Sequence, residues 1–184
     1  MITAHQVLHA YTQGVFPMAD PDTDEIFWYE PKIRGVVFLD DVNIPKTVKK
    51  ELNSGKFECR MNHDFSGVMK ACAQRDETWI SDEIIEVYTG LHNMGYGYSF
   101  ETYYEGQLVG GLYGVAMEKI FFGESMFHHM TNASKVAFAF CIETLQENGY
   151  RMIDTQYATN HLKQFNTIEI PQQEYMKELI HCLQ

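Results

Sequence analysis

A carboxylate and an amide lie two residues apart in the segment "MIDTQ", as Asp154 and Gln156. The segment is typical of a short β-strand, in which alternate side chains point to the same face. We therefore expect Asp154 and Gln156 to lie side by side, while Ile153 faces the opposite way. A carboxylate beside an amide is suited to acid–base and hydrogen-bonding chemistry. The alternative is a polar face on an edge strand.

A second carboxylate, Glu124, follows Gly123 in "FFGESMF", among large apolar side chains. Burying an unpaired carboxylate in such a strand is costly, so Glu124 needs a cationic or hydrogen-bonding partner. Two kinds of partner are open: a group of a bound substrate, or an internal base such as Lys135.

The formal charge of −11 argues against broad, nonspecific binding of nucleic acid, which depends on neutralising many phosphates with Lys and Arg. A local basic patch is compatible with that charge, although a solvated helix face explains the same residues. The candidates for such a patch are Lys46, Lys49, Lys50, Lys56, Arg60, Lys70 and Arg75.

No metal site is predicted. His128 and His129 are adjacent, so their side chains diverge on a strand or a helix, and we expect them to form a polar rim. The four cysteines form no CxxC pair, and their spacing favours reduced thiols over disulfides or zinc ligands.

The length of 184 residues suits one domain, or one domain with a small lobe. Apolar residues make up 45% of the chain, yet no apolar run approaches the roughly 18 residues that a membrane span needs. The first residues, "MITAHQVLHAYTQG", lack the basic start and apolar centre of a signal peptide. We therefore expect a cytoplasmic protein without a membrane segment.

Turn and cap residues divide the first half of the chain into short elements. The first helix ends at Gly14, and "FPMADPDTD" is predicted to be a loop. Two short strands follow, separated by Pro31 in "EIFWYEPKIRGVVFL". Helices are predicted at residues 3–13, 43–55, 63–74 and 81–94.

The segment "YSFETYYEGQLVGGLYGVAMEKIFFGESMF" is dense in Val, Phe and Tyr and contains two turn signals, which predicts an antiparallel three-strand meander. "NASKVAFAFCIETLQENG" then has apolar residues at helical spacing. The strand "RMIDTQ" and a short final helix complete an α+β order. The same order occurs in acyltransferases of the GNAT type, so we expect that fold by analogy. A small lobe at residues 1–60 would precede a GNAT-like catalytic domain at residues 61–184.

Seven strings occur in this order between residues 10 and 156: "AYTQGVFPM", "WYEPKIRGV", "TWI", "LVGGLYGVA", "FFGESMF", "NASK" and "IDTQ". In these strings and their order the chain resembles the leucyl/phenylalanyl-tRNA-protein transferase family over about residues 3–175, in a short form that lacks an additional N-terminal segment. Any one of the strings is a weak signal, whereas seven in register are specific.

The resemblance implies an enzyme that moves Leu or Phe, with Met as a further candidate, from aminoacyl-tRNA to the α-amine of proteins that begin with Arg or Lys. This transfer marks those proteins for degradation. The family uses no metal and no coenzyme. We expect a monomer that contacts aminoacyl-tRNA mainly at its 3′ aminoacyl-adenosine end. Since the aminoacyl ester is already activated, such an enzyme mainly aligns the amine with the ester carbonyl.

The resemblance also assigns roles to seven positions. Asp154 would orient and polarise Gln156, whose amide oxygen accepts from the attacking amine. Glu124 would meet the α-ammonium of bound Leu or Phe, or the basic terminus of the acceptor. The other four positions would bind the donor. Leu112 and Ile153 would be walls of the side-chain pocket, although core packing also explains these two residues. Trp79 and Met18 would lie against the 3′-terminal adenosine.

Two other functions fit parts of the sequence. "QLVGGL" nearly matches the loop that binds coenzyme A pyrophosphate in GNAT-type N-acetyltransferases, but Leu112 replaces a required small residue and the segment continues as a strand. A noncatalytic tRNA- or peptide-binding module is the third candidate. The chain also departs from the family pattern at Tyr96 and Tyr98, where histidines are usual, and at residues 165–167, where "FNT" replaces "LGA".

Overall fold

Seven α-helices and nine β-strands make up the protein, and the computed structural model describes every residue from Met1 to Gln184. The helices are α1 (Ala4–Thr12), α2 (Lys46–Asn53), α3 (Phe65–Ala73), α4 (Asp82–Asn93), α5 (Ala133–Glu147), α6 (Asn160–Lys163) and α7 (Gln172–Cys182). The strands are β1 (Phe16–Ala19), β2 (Ile26–Tyr29), β3 (Ile33–Phe38), β4 (Glu58–Met61), β5 (Gly97–Tyr104), β6 (Gln107–Met117), β7 (Ile120–His128), β8 (Met152–Gln156) and β9 (Ile168–Pro171).

Seven of the strands form one mixed sheet in the order β4-β5-β6-β7-β8-β3-β9. Neighbouring strands are antiparallel except β7 and β8, which are parallel. A parallel pair needs a long crossover connection, and α5 provides it. The predicted α+β order of a meander, a long helix and a following strand is therefore confirmed as β5-β6-β7, α5 and β8.

The central strands are buried on both faces. Along β6, Tyr113 and Val115 point into a core shared with α3 and α4, whereas Leu112 and Ala116 point into a second core against α5. A strand that is covered on both sides has a continuous apolar sequence rather than a strict alternation, as "GGLYGVA" shows. This double burial fixes the strands from which the site is built.

The N-terminal hairpin corrects one prediction. "FPMADPDTD" is not a loop throughout, because its first four residues form β1, which pairs with β2. Pro17 hides this strand in the sequence because proline cannot donate to a ladder and is confined to edge strands and special positions. Here Pro17 is tolerated because the hairpin has only two strands. The sequence also does not predict the short elements β4, α6 and β9.

The strand β3 lies within the large sheet, between β8 and β9. Residues 1–60 thus contribute β3 and most of β4 to the sheet, while the hairpin of β1 and β2 stays outside it. The division of the chain at residue 60 stays a prediction.

All four cysteines are free thiols, as predicted. Burial raises the pKa of Cys59 to about 11 and that of Cys72 to about 12, so neither is a thiolate nucleophile at neutral pH. None of the helices combines the length and the apolar character that crossing a membrane requires.

Candidate active site

A cavity of about 460 Å³ opens where β7 and β8 separate. The last paired residues of these parallel strands are Phe122 and Asp154, and Gly123, Glu124, Thr155 and Gln156, which follow them, line the cavity. The structure brings six of the seven predicted site residues to this cavity, from five separate parts of the chain. They are Met18, Trp79, Leu112, Glu124, Ile153 and Gln156.

Asp154 is the predicted site residue that does not line the cavity. Its carboxylate is fully buried behind the cavity wall. Oδ2 accepts hydrogen bonds from Arg34 Nη2 at 2.8 Å and from the Tyr175 hydroxyl at 2.6 Å. Oδ1 accepts from the backbone N–H of Gln156 at 2.8 Å. With these partners Asp154 can position its neighbour but cannot itself reach a substrate.

Arg34 is the main site residue that the sequence motifs do not predict. Its guanidinium is buried between the rings of Phe16 and Tyr175, with its central carbon 4.9 Å and 4.3 Å from the two ring centroids. Besides bonding Asp154, its Nη1 donates to the carbonyl oxygen of Gly14 at 2.8 Å. One signal was available in the sequence: a lone Arg in the apolar strand "IRGVVF" needs a buried counterion.

Gln156 ends β8 in the left-handed backbone conformation, with φ of 64°. Its side-chain nitrogen lies 3.4 Å from both carboxylate oxygens of Glu124 and donates to them. With the nitrogen turned to Glu124, the amide oxygen remains as an acceptor for a substrate. Asp154 orients Gln156 through the backbone N–H rather than through the side-chain amide.

Gly35 permits the close approach of the chain that follows Gln156. Gly35 and Gln156 are partners in the ladder between β3 and β8, next to an irregularity in register. A Cβ atom at Gly35 would lie 2.5 Å from the carbonyl carbon of Tyr157 and 2.7 Å from the nitrogen of Ala158. Any side chain at position 35 would therefore displace this part of the cavity wall.

The Glu124 carboxylate is held by hydroxyl and amide groups. Tyr11 donates a hydrogen bond to it, and the hydroxyls of Tyr11 and Tyr88 are 2.6 Å apart. Neither Lys135 nor any other cationic side chain forms a salt bridge with Glu124, so the internal-base alternative is wrong. The sequence gives no signal for Tyr11 and Tyr88, because both occupy ordinary core positions on helices.

Burial raises the pKa of Glu124 to about 7, and the charge of Asp154 acts in the same direction. Hydrogen bonds from Tyr11, Gln156 and Tyr88 lower this pKa, but by less. Part of the Glu124 side chain faces the cavity, yet protein atoms surround the carboxylate closely enough to weaken its hydration. A substrate ammonium in the cavity would supply the missing countercharge.

The other predicted residues occupy distinct parts of the cavity. Leu112 and Ile153 are almost wholly buried and form an apolar wall that is continuous with the core under α5. Trp79 and Met18 lie on the same part of the rim, because the backbone N–H of Ala19 donates to the carbonyl oxygen of Trp79 at 3.1 Å. The cavity thus combines an apolar wall, an aromatic rim and a carboxylate.

A polar part of the lining contains two histidines. His128 lines the cavity as part of the expected polar rim, and His161 lies on the unpredicted helix α6. The Nε2 atom of His161 is buried without a hydrogen-bond partner. Burial lowers the pKa of His161, and Lys135 and His128 act in the same direction, which favours the neutral imidazole.

The glycine-rich segment of "QLVGGLYG" does not form a phosphate-binding loop. Gly110, Gly111 and Gly114 lie inside β6 and are buried against neighbouring chain. A Cβ atom at Gly114 would lie 2.2 Å from the carbonyl oxygen of Phe122. These glycines serve strand packing, and no helix begins after them to bind a coenzyme A pyrophosphate.

Two family models match the chain. The model described as "Leucyl/phenylalanyl-tRNA protein transferase" matches residues 36–180, and its N-terminal domain model matches residues 1–32. A protein of Gloeobacter violaceus is 47% identical over 178 residues, which cover 97% of this chain and 92% of the relative. A protein of Akkermansia muciniphila is 48% identical over 187 residues, which cover 100% and 97%. Both relatives are named leucyl/phenylalanyl-tRNA–protein transferase.

Similarity to solved structures is low. L-PGS from Bacillus licheniformis aligns with a TM-score of 0.49 and 10% identity, over 83% of this chain and 64% of the other. A GCN5-related N-acetyltransferase-like protein from Streptococcus suis aligns with a TM-score of 0.39 and 13% identity, over 74% and 57%. Similarities of this size have no bearing on function.

Proposed function

This chain belongs to the leucyl/phenylalanyl-tRNA protein transferase family, and we propose that it moves Leu or Phe from aminoacyl-tRNA to the α-amine of proteins that begin with Arg or Lys. The observation that supports this proposal best is the cavity, because an apolar wall, a carboxylate without a counterion and an amide acceptor meet there. These are the groups that an aminoacyl ester and an amine need.

The donor would lie with its side chain against Leu112 and Ile153 and its adenine beside Trp79 and Met18. Its α-ammonium would face Glu124, the only carboxylate in the cavity lining and one that forms no salt bridge. A cationic substrate group held at this position favours the ionised form of the carboxylate, so donor binding and ionisation support each other.

In the transfer step, the neutral α-amine of the acceptor attacks the ester carbonyl. The Gln156 amide oxygen accepts a hydrogen bond from this amine and fixes its direction of approach. The C–O bond to the terminal ribose breaks, and the proton lost by the amine passes to the departing ribose oxygen. An α-amine has a pKa of ~7.7 to 8, so part of it is already neutral at cellular pH. A weak proton acceptor is therefore sufficient.

Asp154 and Arg34 lie behind the cavity wall and act through Gln156. Asp154 holds the backbone N–H of Gln156, and Arg34 holds Asp154. The pair thereby keeps the Gln156 amide in a fixed position without touching a substrate. We further propose that the protein acts as a monomer in the cytoplasm, where its four free thiols stay reduced and where charged tRNA is available.

One assay tests donor and acceptor together. The purified protein is incubated with radiolabelled Leu-tRNA and a model protein with N-terminal Arg, and in parallel with the same protein starting with Met. We expect label in the Arg protein alone, and labelling about 10²-fold slower when Gln156→Ala replaces the wild type. Equal labelling of both acceptors would contradict the proposed acceptor class, and labelling from acetyl-CoA alone would favour an acetyltransferase.

A further inference from the structure

The outer edge of β2 is an exposed apolar strand without a partner. Phe27, Trp28 and Tyr29 are 44%, 42% and 38% exposed. The strand pairs only with β1, and no backbone hydrogen bond from outside the hairpin reaches residues 26–29. Proteins normally shield such edges with charges, bulges or covering segments, because an open apolar edge pairs with other chains. An open edge of this kind marks an interaction surface.

The outer edge of β2, with its aromatic residues 27–29 (the aromatic edge), is connected to the cavity through β1. Met18, which lines the cavity, is the cross-strand partner of Phe27, and Phe16 is the partner of Tyr29. Cross-strand partners lie on the same face of a hairpin. Tyr157 packs edge-on against Phe16, with ring centroids 6.3 Å apart, and also lines the cavity. A chain bound along the outer edge of β2 would lie two strand spacings, about 10 Å, from β1, a distance that its first three residues can span to reach the cavity beside Met18.

The charge of the hairpin selects between the two substrates. Residues 16–31 contain five acidic side chains and no Lys, Arg or His. Such a surface repels the phosphates of a tRNA strand, whose binding depends on cationic side chains. It attracts a cationic peptide terminus instead. The five acidic residues are Asp20, Asp22, Asp24, Glu25 and Glu30.

We propose that the outer edge of β2 binds the N-terminal segment of the acceptor protein as an added antiparallel or parallel strand. This inference rests on the proposed function, since it names the surface that receives the second substrate. Backbone hydrogen bonds along a strand edge do not depend on side-chain identity. Such binding suits an enzyme whose acceptors share only their first residue. The acidic residues of the hairpin would attract that first residue, which is Arg or Lys.

A first experiment uses the wild-type protein and modified acceptors. A peptide of eight residues with N-terminal Arg is compared with two versions that carry N-methyl groups on alternate backbone nitrogens from the fourth residue onward, in the two possible phases. In a strand, one phase faces β2 and the other faces away. Loss of two or three backbone hydrogen bonds should raise the KM for the acceptor about 10-fold in one phase only. An equal KM for both phases and the unmethylated peptide overturns the inference.

A second experiment changes the surface. Phe27→Ser with Trp28→Ser should raise the KM for the acceptor protein about 10-fold, since two exposed aromatic contacts are lost, and leave the KM for aminoacyl-tRNA unchanged. Ile180→Ser is the matched control, because Ile180 is a 54% exposed apolar side chain on α7. Circular dichroism melts establish that each variant is folded.

The outcomes separate this inference from the proposed function. A rise in the KM for aminoacyl-tRNA, with that for the acceptor unchanged, would mean that the aromatic edge binds the tRNA strand and would overturn the inference. Unchanged KM values for both substrates would overturn it as well. A wild-type protein that transfers no Leu or Phe to any acceptor would instead contradict the proposed function itself.

Discussion

Arg34 and Asp154 form an ion pair in which neither side chain is exposed to solvent, with Nη2 and Oδ2 2.8 Å apart. The contact is bidentate, because Nε of Arg34 also lies 3.1 Å and 3.2 Å from the two carboxylate oxygens. Such pairs fix geometry more than they add to stability, since desolvation offsets most of the attraction. Here the pair fixes the position of Gln156, whose backbone N–H donates a hydrogen bond to Asp154.

Removing one member of this pair should destabilise the fold. Arg34→Met keeps much of the side-chain volume but leaves the Asp154 carboxylate buried without its cation, which should lower the free energy of unfolding by about 3 to 5 kcal/mol. Urea unfolding of the two proteins measures the difference. Combining Arg34→Met with Asp154→Asn should restore most of the stability but not the transfer rate. A loss below about 1 kcal/mol in the single variant would count against a structural role for the pair.

Gln156 should separate activity from stability. Gln156→Ala and Gln156→Gly both remove the acceptor amide, so each should lower the transfer rate about 10²-fold. Since position 156 has φ of 64°, the Gly variant should be more stable than the Ala variant by about 1 kcal/mol. Single-turnover transfer and thermal melts test the two statements separately. Wild-type rates in both variants would remove Gln156 from the mechanism.

Glu124 should make stability depend on pH. Its pKa is about 7 in the folded protein, compared with 4.5 for an unperturbed Glu. Between pH 4.5 and about 7 the folded state therefore binds more protons than the unfolded state. The contribution of Glu124 to stability is thus greatest below pH 4.5 and is lost as the pH rises through about 7. Glu124→Gln cannot titrate. Its stability relative to wild type should rise by about 2 to 3 kcal/mol between pH 5 and pH 8, as measured by denaturant unfolding.

The same variant should lose transfer activity, because it retains the shape of the side chain but not the charge that faces the donor ammonium. The KM for aminoacyl-tRNA should rise about 10-fold or more at pH 8, where the wild-type carboxylate is ionised. Tyr88→Phe is a comparison variant that weakens the hydroxyl pair behind Glu124 while leaving its charge in place. Normal transfer by Glu124→Gln at pH 8 would assign the carboxylate to the core alone.

Trp79 and Met18 should determine the affinity for the terminal adenosine. Trp79→Ala should weaken binding of an aminoacyl-adenosine analogue such as puromycin by about 1 to 3 kcal/mol, the usual contribution of one base stack. Met18→Trp should strengthen it, because an indole offers a larger stacking surface at the same rim. Competition against aminoacyl-tRNA gives both affinities. If Trp79→Ala is silent and only full-length tRNA competes, the adenosine lies elsewhere.

The sequence alone determined the longer elements of the fold and the identity of two polar groups in the cavity. Periodicity and turn residues predict the meander, α5 and β8, because these depend on neighbours along the chain. The motifs "FFGESMF" and "IDTQ" identify Glu124 and Gln156 as polar groups in apolar strands, where a carboxylate or amide needs a partner. Local patterns fail at β1, where Pro17 conceals a strand.

Only the tertiary structure decided which groups are partners. Arg34 reaches Asp154 across 120 positions of sequence, and Tyr11 reaches Glu124 across 113. No local spacing encodes such distances, because they follow from β3 pairing with β8 and from the packing of α1 against the sheet. The separation of β7 from β8 beyond Phe122 then leaves the ends of both strands without ladder partners on that side, and this opening creates the cavity.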